Sequence, residues 1–225
     1  MISKNQIEEI EQEAEKYFED VSVCHDWTHV ERVKKLAISI GEEEDADLQI
    51  IEIAALLHDI GRKEEFACKG KKENGIKFCH AIEGAKEAGK LLSDFDIDEK
   101  SINNIVHCIS SHRFRNEEAP ETLEAKVLFD ADKLDSIGAV GIARDFVFVG
   151  HFGTLMYTGN EKEQIKSGKN YDFTKEDTAV LEYHKKLKYI KDRMQTKTGK
   201  KFAQERHDFM VDFFERFWDE INGKK

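Results

Sequence analysis

Residues 54–63 read AALLHDIGRK, and the reading of this stretch decides the fold. Of the eight residues before His58, seven are apolar (Ile50, Ile51, Ile53, Ala54, Ala55, Leu56 and Leu57), and only Glu52 is not. A run this apolar, opened by Asp47 and closed by Gly61, specifies a helix buried in a core. It nevertheless finishes on an adjacent imidazole and carboxylate, His58 and Asp59. Neighbouring residues on a helix point about 100° apart, so the pair cannot share one buried stripe. The two can converge on a single ion off the helix end. Taken alone, they are read first as a hydrogen-bonded core histidine beside a helix-terminal polar residue.

The surrounding sequence supports a helical core. One proline, Pro120, in 225 residues rich in Lys, Glu, Ala, Leu and Ile favours helices, and few stretches alternate as strands do. The fold class is therefore all-α. With 40% hydrophobic and 36% charged residues, the chain can bury a core and stay soluble, and its length fits a single domain over 1–225. Periodicity predicts helices at about 4–19, 26–40, 47–60, 81–92, 98–111 and 121–136. Asp26 is the N-cap of the second and Gly41 its stop, and Pro120 precedes the last. The stretch IGAVGIARDFVFVGHF is read as a continuation of that helix. Segments 62–78 and 159–172, rich in lysine and glycine, read as loops suited to substrate contact. The TKED pattern at Thr174 is a capping box opening the first of two closing helices. The last of these repeats Phe202, Phe209, Phe213 and Phe217 at helical spacing, a face for the core or for an oligomer contact.

A formal net charge of −11 argues against a general nucleic-acid or membrane binder. It leaves phosphate substrates open, since a metal and a few local cations reverse the potential inside one cleft. Cys24, Cys68, Cys79 and Cys108 form no C-x-x-C pair, which points to free thiols. The N-terminal stretch is charged throughout and lacks the apolar core of a signal peptide, and no segment approaches a membrane span. A cytoplasmic protein is expected.

Other histidines and carboxylates give the His58–Asp59 pair its context. HDWTHVERV places His25 and His29 at i and i+4 near a helix start; it is not H-E-x-x-H, so the zinc-protease reading fails, and either histidine could join the pair. LFDADKLDSIG carries Asp130, Asp132 and Asp135. Asp130 has Lys126 and Lys133 within a turn, whereas Asp132 has Leu128, Phe129 and Ser136 and no cation. A buried carboxylate without a cation protonates, hydrogen-bonds or binds a metal, which favours Asp132 as a ligand. His112 extends the stripe Ile102, Ile105, Ile109, and His80 opens a helix of small residues; both are further candidates. His107, His151, His184 and His207 read as structural or surface residues.

In this order, the first histidine, the LLHDIG pair and the DADKLD aspartate resemble the HD superfamily of metal-dependent phosphohydrolases. DADKLDSIGAVGIAR is similar in particular to small stand-alone bacterial and archaeal HD hydrolases. The resemblance spans about 24–144, with a C-terminal helical extension at about 174–222. It implies an all-α bundle around a divalent ion with His29, His58, Asp59 and Asp132 as ligands. Some members add two histidines and hold a second metal, and His80 and His112 fall in suitable places. They would bind that second ion or meet substrate phosphate, with Arg62, Lys63 and Arg113 as looser candidates for the phosphate. The glycine signature of the cyclic-di-nucleotide phosphodiesterase branch is missing, so that substrate is not carried over.

Two imidazoles and two carboxylates leave about two open positions on a six-coordinate ion and suit Mn, Fe, Co, Ni or Zn, with Mg less well matched. A bound water becomes acidic enough to attack, Asp59 or a neighbouring carboxylate takes its proton, and Lys133 stabilises the transferring phosphoryl group. The expected activity is hydrolysis of a phosphate ester or anhydride, of a nucleotide first of all, releasing phosphate or pyrophosphate. The competing readings are a metal-dependent nucleotide sensor without turnover and a helical scaffold. The aromatic last helix permits a homodimer without requiring one.

Overall fold

Helix α3 (Leu48–Leu57) is the hub of the first part of the structure, a computed structural model that describes residues 2–19, 25–68, 72–73, 76–113, 118–172 and 174–225. The Asp47 side chain caps it by accepting from the backbone N–H groups of Gln49 and Ile50 at 3.0 and 3.3 Å. Ile50, Ile51, Ile53, Ala54, Ala55, Leu56 and Leu57 are all buried, as a helix apolar on every side requires. Around it pack α1 (Lys4–Glu15), α2 (Trp27–Glu43), α5 (His80–Leu92) and α6 (Glu99–Ser111). Between α3 and α5 lies the short α4 (Arg62–Cys68), followed by a ladder in which Lys72–Glu73 pairs antiparallel with Ile76–Lys77. So small a ladder adds no layer, and the fold is all-α.

Contacts divide the chain into two compact units, Met1–Asp132 and Lys133–Lys225. Helix α7 (Leu123–Leu134) ends the first and begins the second. In the second, α8 (Gly138–Phe152) packs on α11 (Lys197–Ile221), and α10 (Ala179–Lys185) packs on α9 (Glu161–Ser167), α8 and a 3-10 turn, Leu187–Arg193. Asp135 is buried and ion-paired to Arg144 at 2.7 Å, and Arg206 donates to the carbonyl of Leu134. Two cations from α8 and α11 thus meet the carbonyl end of α7, where the helix leaves acceptors unpaired.

Several boundaries depart from the sequence expectation. Helix α2 runs through Gly41 to Glu43, because a glycine with αR backbone does not stop a helix that is packed on one face. The IGAVGIAR stretch starts a new helix: Gly138 takes φ +76 in a break after α7. Segments 62–78 and 159–172 contain α4 and α9, each only seven residues. Thr174 sits in a turn, and Thr178 is the residue whose side chain caps α10, accepting from Leu181 N–H at 3.0 Å. On α11 the buried positions are Ala203, Met210 and Phe214, while Phe209 is 49% exposed. Cys68, Cys79 and Cys108 are free thiols, and Cys24 lies outside the described residues. No helix among the described residues is long and apolar enough to cross a membrane.

One close approach sets the geometry of the first unit. A Cβ on Gly61 would meet the His80 carbonyl oxygen at 2.6 Å and the Gly84 nitrogen at 3.0 Å. Glycine at 61 therefore lets the start of α5 lie against the chain leaving α3. At Gly89 an added Cβ would meet only Val106 Cγ2, at 3.4 Å. Gly61→Ala is accordingly expected to lower stability by about 1–3 kcal/mol through backbone overpacking. Gly89→Ala is expected to be neutral or to raise it by up to about 1 kcal/mol. Urea unfolding of both variants checks the contrast, and equal effects would contradict it.

A second expectation concerns Asp145 on α8. Burial pushes its carboxyl up to about 8, with Glu182 and Asp177 adding to the rise and Lys186 opposing it. Its Oδ2 has no hydrogen-bond partner among the described residues. An unfolded aspartate titrates near 3.9. Between about pH 4 and pH 8 the folded chain thus holds a proton that the unfolded chain has released, so this group lowers stability as pH rises. Asp145→Asn is expected to remove that fall, gaining on the order of 3 kcal/mol at about pH 9 and little near pH 4. Denaturant midpoints across pH test this; a gain independent of pH would point to another cause.

Candidate metal centre

Helix ends bring the site together. His29 lies in the first turn of α2, fixed there by Asp26, whose side chain accepts from His29 N–H at 3.2 Å. His58 is the C-cap of α3, and Asp59 follows it. His80 is the first residue of α5, His112 the C-cap of α6, and Asp132 lies in the last turn of α7. His29, His58, Asp59, His80 and His112 are buried, and Asp132 is half-buried.

Asp59 sits between two groups of imidazoles. Its Oδ2 is 3.1 Å from His25 Nδ1 and 3.7 Å from both His29 Nε2 and His58 Nε2. Its Oδ1 is 3.3 Å from His80 Nε2 and 3.6 Å from His112 Nε2. Asp132 Oδ1 lies 3.6 Å from His29 Nε2. Three groups result whose ligand atoms lie within 4.8 Å of one another: His25, His29 and Asp59; His29, His58 and Asp132; Asp59, His80 and His112.

Proton placement in these rings follows from their other nitrogens. His58 Nδ1 is 2.8 Å from the Ala55 carbonyl, and His112 Nδ1 is 2.6 Å from the Ile109 carbonyl. A carbonyl oxygen only accepts, so each Nδ1 carries the proton and each Nε2 is a bare lone pair. His80 Nδ1 contacts the Glu65 carboxylate at 2.8 Å, which gives it the same tautomer. Yet His80 Nε2 and His112 Nε2 stand 3.3 Å apart, as do His58 Nε2 and His29 Nε2. The His80–His112 contact therefore opposes two lone pairs, next to an Asp59 Oδ1 that has no hydrogen-bond partner among the described residues. Facing acceptors with no proton between them fit a cation, and neutral imidazoles with carboxylates are the donor set of a divalent transition ion.

Charge states agree. Burial pushes His80 down to about 4 and lowers His25 and His112, so these three rings are neutral. Burial opposes ionisation of Asp59, but the adjacent Arg62 guanidinium acts against it, and the carboxyl is held well below its usual range. In Glu65, burial is likewise outweighed, by His80 and Arg113.

All six of the expected histidine and aspartate positions are thus brought together: His29, His58, Asp59 and Asp132, with His80 and His112 beside them. Arg62 donates from Nε to Asp59 Oδ2 and from Nη1 to Glu65 Oε2, both at 3.1 Å. Arg113 donates to Glu65 Oε1. Both arginines are therefore ion-paired, whereas Lys63 is exposed on α4. Lys133 is half-buried and opens the second unit. Two residues went unassigned in the sequence. His25 carried a usable signal in its i, i+4 spacing from His29. Glu65 carried only its i+3 relation to Arg62, on a helix that was read as loop.

The HD domain profile matches residues 26–137. The chain is 34% identical over 222 residues to YpgQ of Bacillus subtilis, covering 97% of this chain and 95% of that protein. A crystal structure of YpgQ in complex with ADP superposes with a TM-score of 0.69 at 31% identity, over 96% of this chain and 95% of the other. An HD-superfamily hydrolase from Bacillus thuringiensis gives a TM-score of 0.70 at 31% identity, covering 97% and 98%. A predicted HD-superfamily hydrolase from an uncultured Thermotogales bacterium gives 0.63 at 31%, covering 96% and 92%. With the motif residues gathered in one site and relatives matched along nearly their whole length, the chain belongs to the HD superfamily of hydrolases.

Proposed function

We propose that this protein is a metal-dependent phosphohydrolase that cleaves a phosphate ester or anhydride of a nucleotide. The observation that carries the reading is the buried His80–His112 pair, whose bare Nε2 atoms face each other and Asp59. The ADP bound by the related YpgQ supports a nucleotide as the ligand class.

His29, His58, Asp59 and Asp132 would hold the first divalent ion, and His80 and His112, sharing Asp59, a second. When bound, such an ion supplies Lewis acidity that makes a water nucleophilic near neutral pH and draws charge from a phosphoryl oxygen. The chain's own residues do the rest. Buried histidines with fixed tautomers keep the donors in place, and α3 anchors His58 and Asp59. Asp59 is the proposed acceptor of the water's proton; its depressed proton affinity makes that role a momentary relay. Lys133 is proposed to stabilise the phosphoryl group in transit. Arg62 and Arg113 are ion-paired to Glu65, so their contact with substrate phosphate requires an exchange of partners.

The test is a panel of nucleoside mono-, di- and triphosphates with Mn, Co, Ni and Mg, with phosphate and pyrophosphate measured separately. Turnover that depends on metal and is abolished by chelation is expected. His58→Ala and Asp132→Ala are expected to lower kcat/KM more than about 100-fold, beyond the range typical of groups one shell removed from a metal. ADP that stabilises the protein without product would instead identify a sensor. Protein purified without a histidine tag that carries no metal, and loses nothing on His58→Ala, would overturn the reading.

A further inference from the structure

Three of the buried imidazoles depend on a partner at Nδ1 to keep Nε2 unprotonated, and the partners are of two kinds. His58 and His112 each use the carbonyl three residues back in their own helix, Ala55 and Ile109. Both sit at a helix C-terminus, where a preceding turn supplies an unpaired carbonyl. His80 is the first residue of α5, so no helical turn precedes it. Its Nδ1 partner comes from a different element, Glu65 on α4 at 2.8 Å.

Resting on the metal-site reading above, we propose that Glu65 is a positioning residue: it holds the His80 proton on Nδ1 and thereby reserves Nε2 as a donor to a cation. The competition it settles is visible in the geometry. Asp59 Oδ1 lies 3.3 Å from His80 Nε2 and has no hydrogen-bond partner among the described residues. Without Glu65, a proton on Nε2 would satisfy that oxygen and close the ring to metal. Glu65 wins through the shorter contact. Arg62 Nη1 on Oε2 and Arg113 on Oε1 keep it ionised and acceptor-only. Arg113 Nη1 also approaches His80 Nδ1, at 3.3 Å. With Nδ1 protonated both groups are donors, and each is met by its own Glu65 oxygen, Oε1 for Arg113 and Oε2 for His80. A carboxylate fixing the tautomer of a metal-ligating imidazole is a general device, and its loss typically weakens metal binding about 10–100-fold.

The inference is separable from the activity. In metal-free protein labelled with 15N-histidine, long-range 1H–15N spectra are expected to show His80 protonated on Nδ1 in the wild type and shifted toward the Nε2–H form in Glu65→Ala. Calorimetric titration with Mn is expected to show affinity lowered about 10–100-fold in Glu65→Ala. Glu65→Gln, which keeps the volume and one acceptor, is expected to fall between. A purely structural ion pair would lower thermal stability and leave the tautomer unchanged; that result overturns the inference, as does wild-type His80 protonated on Nε2. The latter needs no variant to fold. If wild-type protein binds no Mn at all, the metal reading fails, and the spectra still decide the role of Glu65.

Discussion

A buried carboxylate facing neutral imidazoles is the constraint on which the first unit depends. Asp59 is 1% exposed, ionised, and served by one full cation, Arg62, at 3.1 Å. Desolvating an ion costs several kcal/mol even after relaxation. Seven buried apolar side chains on α3 act in the opposite direction. The larger of them contribute roughly 1.5–3 kcal/mol each as an upper estimate. The helix carrying the unfavourable group thus has a surplus to hold it. That is why the HD pair stands at the end of the most apolar segment in the chain and could not sit on an amphipathic surface helix.

Helix termini supply both the position and the electronic state of the site. A C-terminal turn has unpaired carbonyls, and a histidine placed there satisfies one of them with its Nδ1–H. At His58 and His112 a single hydrogen bond caps a helix and fixes a tautomer. At an N-terminus the backbone presents donors, so the same economy fails. His80 stands at such an end and draws its acceptor from α4. Gly61 is what lets α5 come near enough, since any side chain there would strike the His80 carbonyl.

The parts of this arrangement that were legible in the sequence are those written in long periodic segments. The apolar run before His58 predicted a buried helix starting at about Asp47, and Asp26 caps α2 as read. The poverty of cations around Asp132 favoured the aspartate that the fold brings to His29, whereas Asp135 is ion-paired with Arg144. Asp130, for which the sequence offers Lys126 and Lys133 as ion-pair partners, is fully buried. What escaped was short or nonlocal. Helices α4 and α9 are seven residues each, too brief to establish a period against lysine and glycine. Two threonines four residues apart, Thr174 and Thr178, both suit a cap, and tertiary packing of the apolar residues after Thr178 chose between them. Glu65 became part of the site only through partners 3, 15 and 48 residues away in the chain.

On the proposed function an acidic chain meets an anionic substrate, which needs a local reversal of sign, and the charges near Asp59 show how close this site stands to one. Glu65 offsets one of its two arginines, leaving Arg62 and Arg113 with Glu65 at a net of +1. Asp59 and Asp132 add −2, and His80 and His112 add nothing because burial keeps them neutral. The cluster alone therefore carries −1 and repels phosphate. On the proposed function one divalent cation turns it to +1 and a second to +3. The neutral histidines are what make this possible: they contribute donors without adding to the negative charge, so each ion bound moves the whole of its charge toward the substrate. Carboxylates in place of His80 and His112 would bind the same cations more strongly and cancel the field that an incoming phosphate meets.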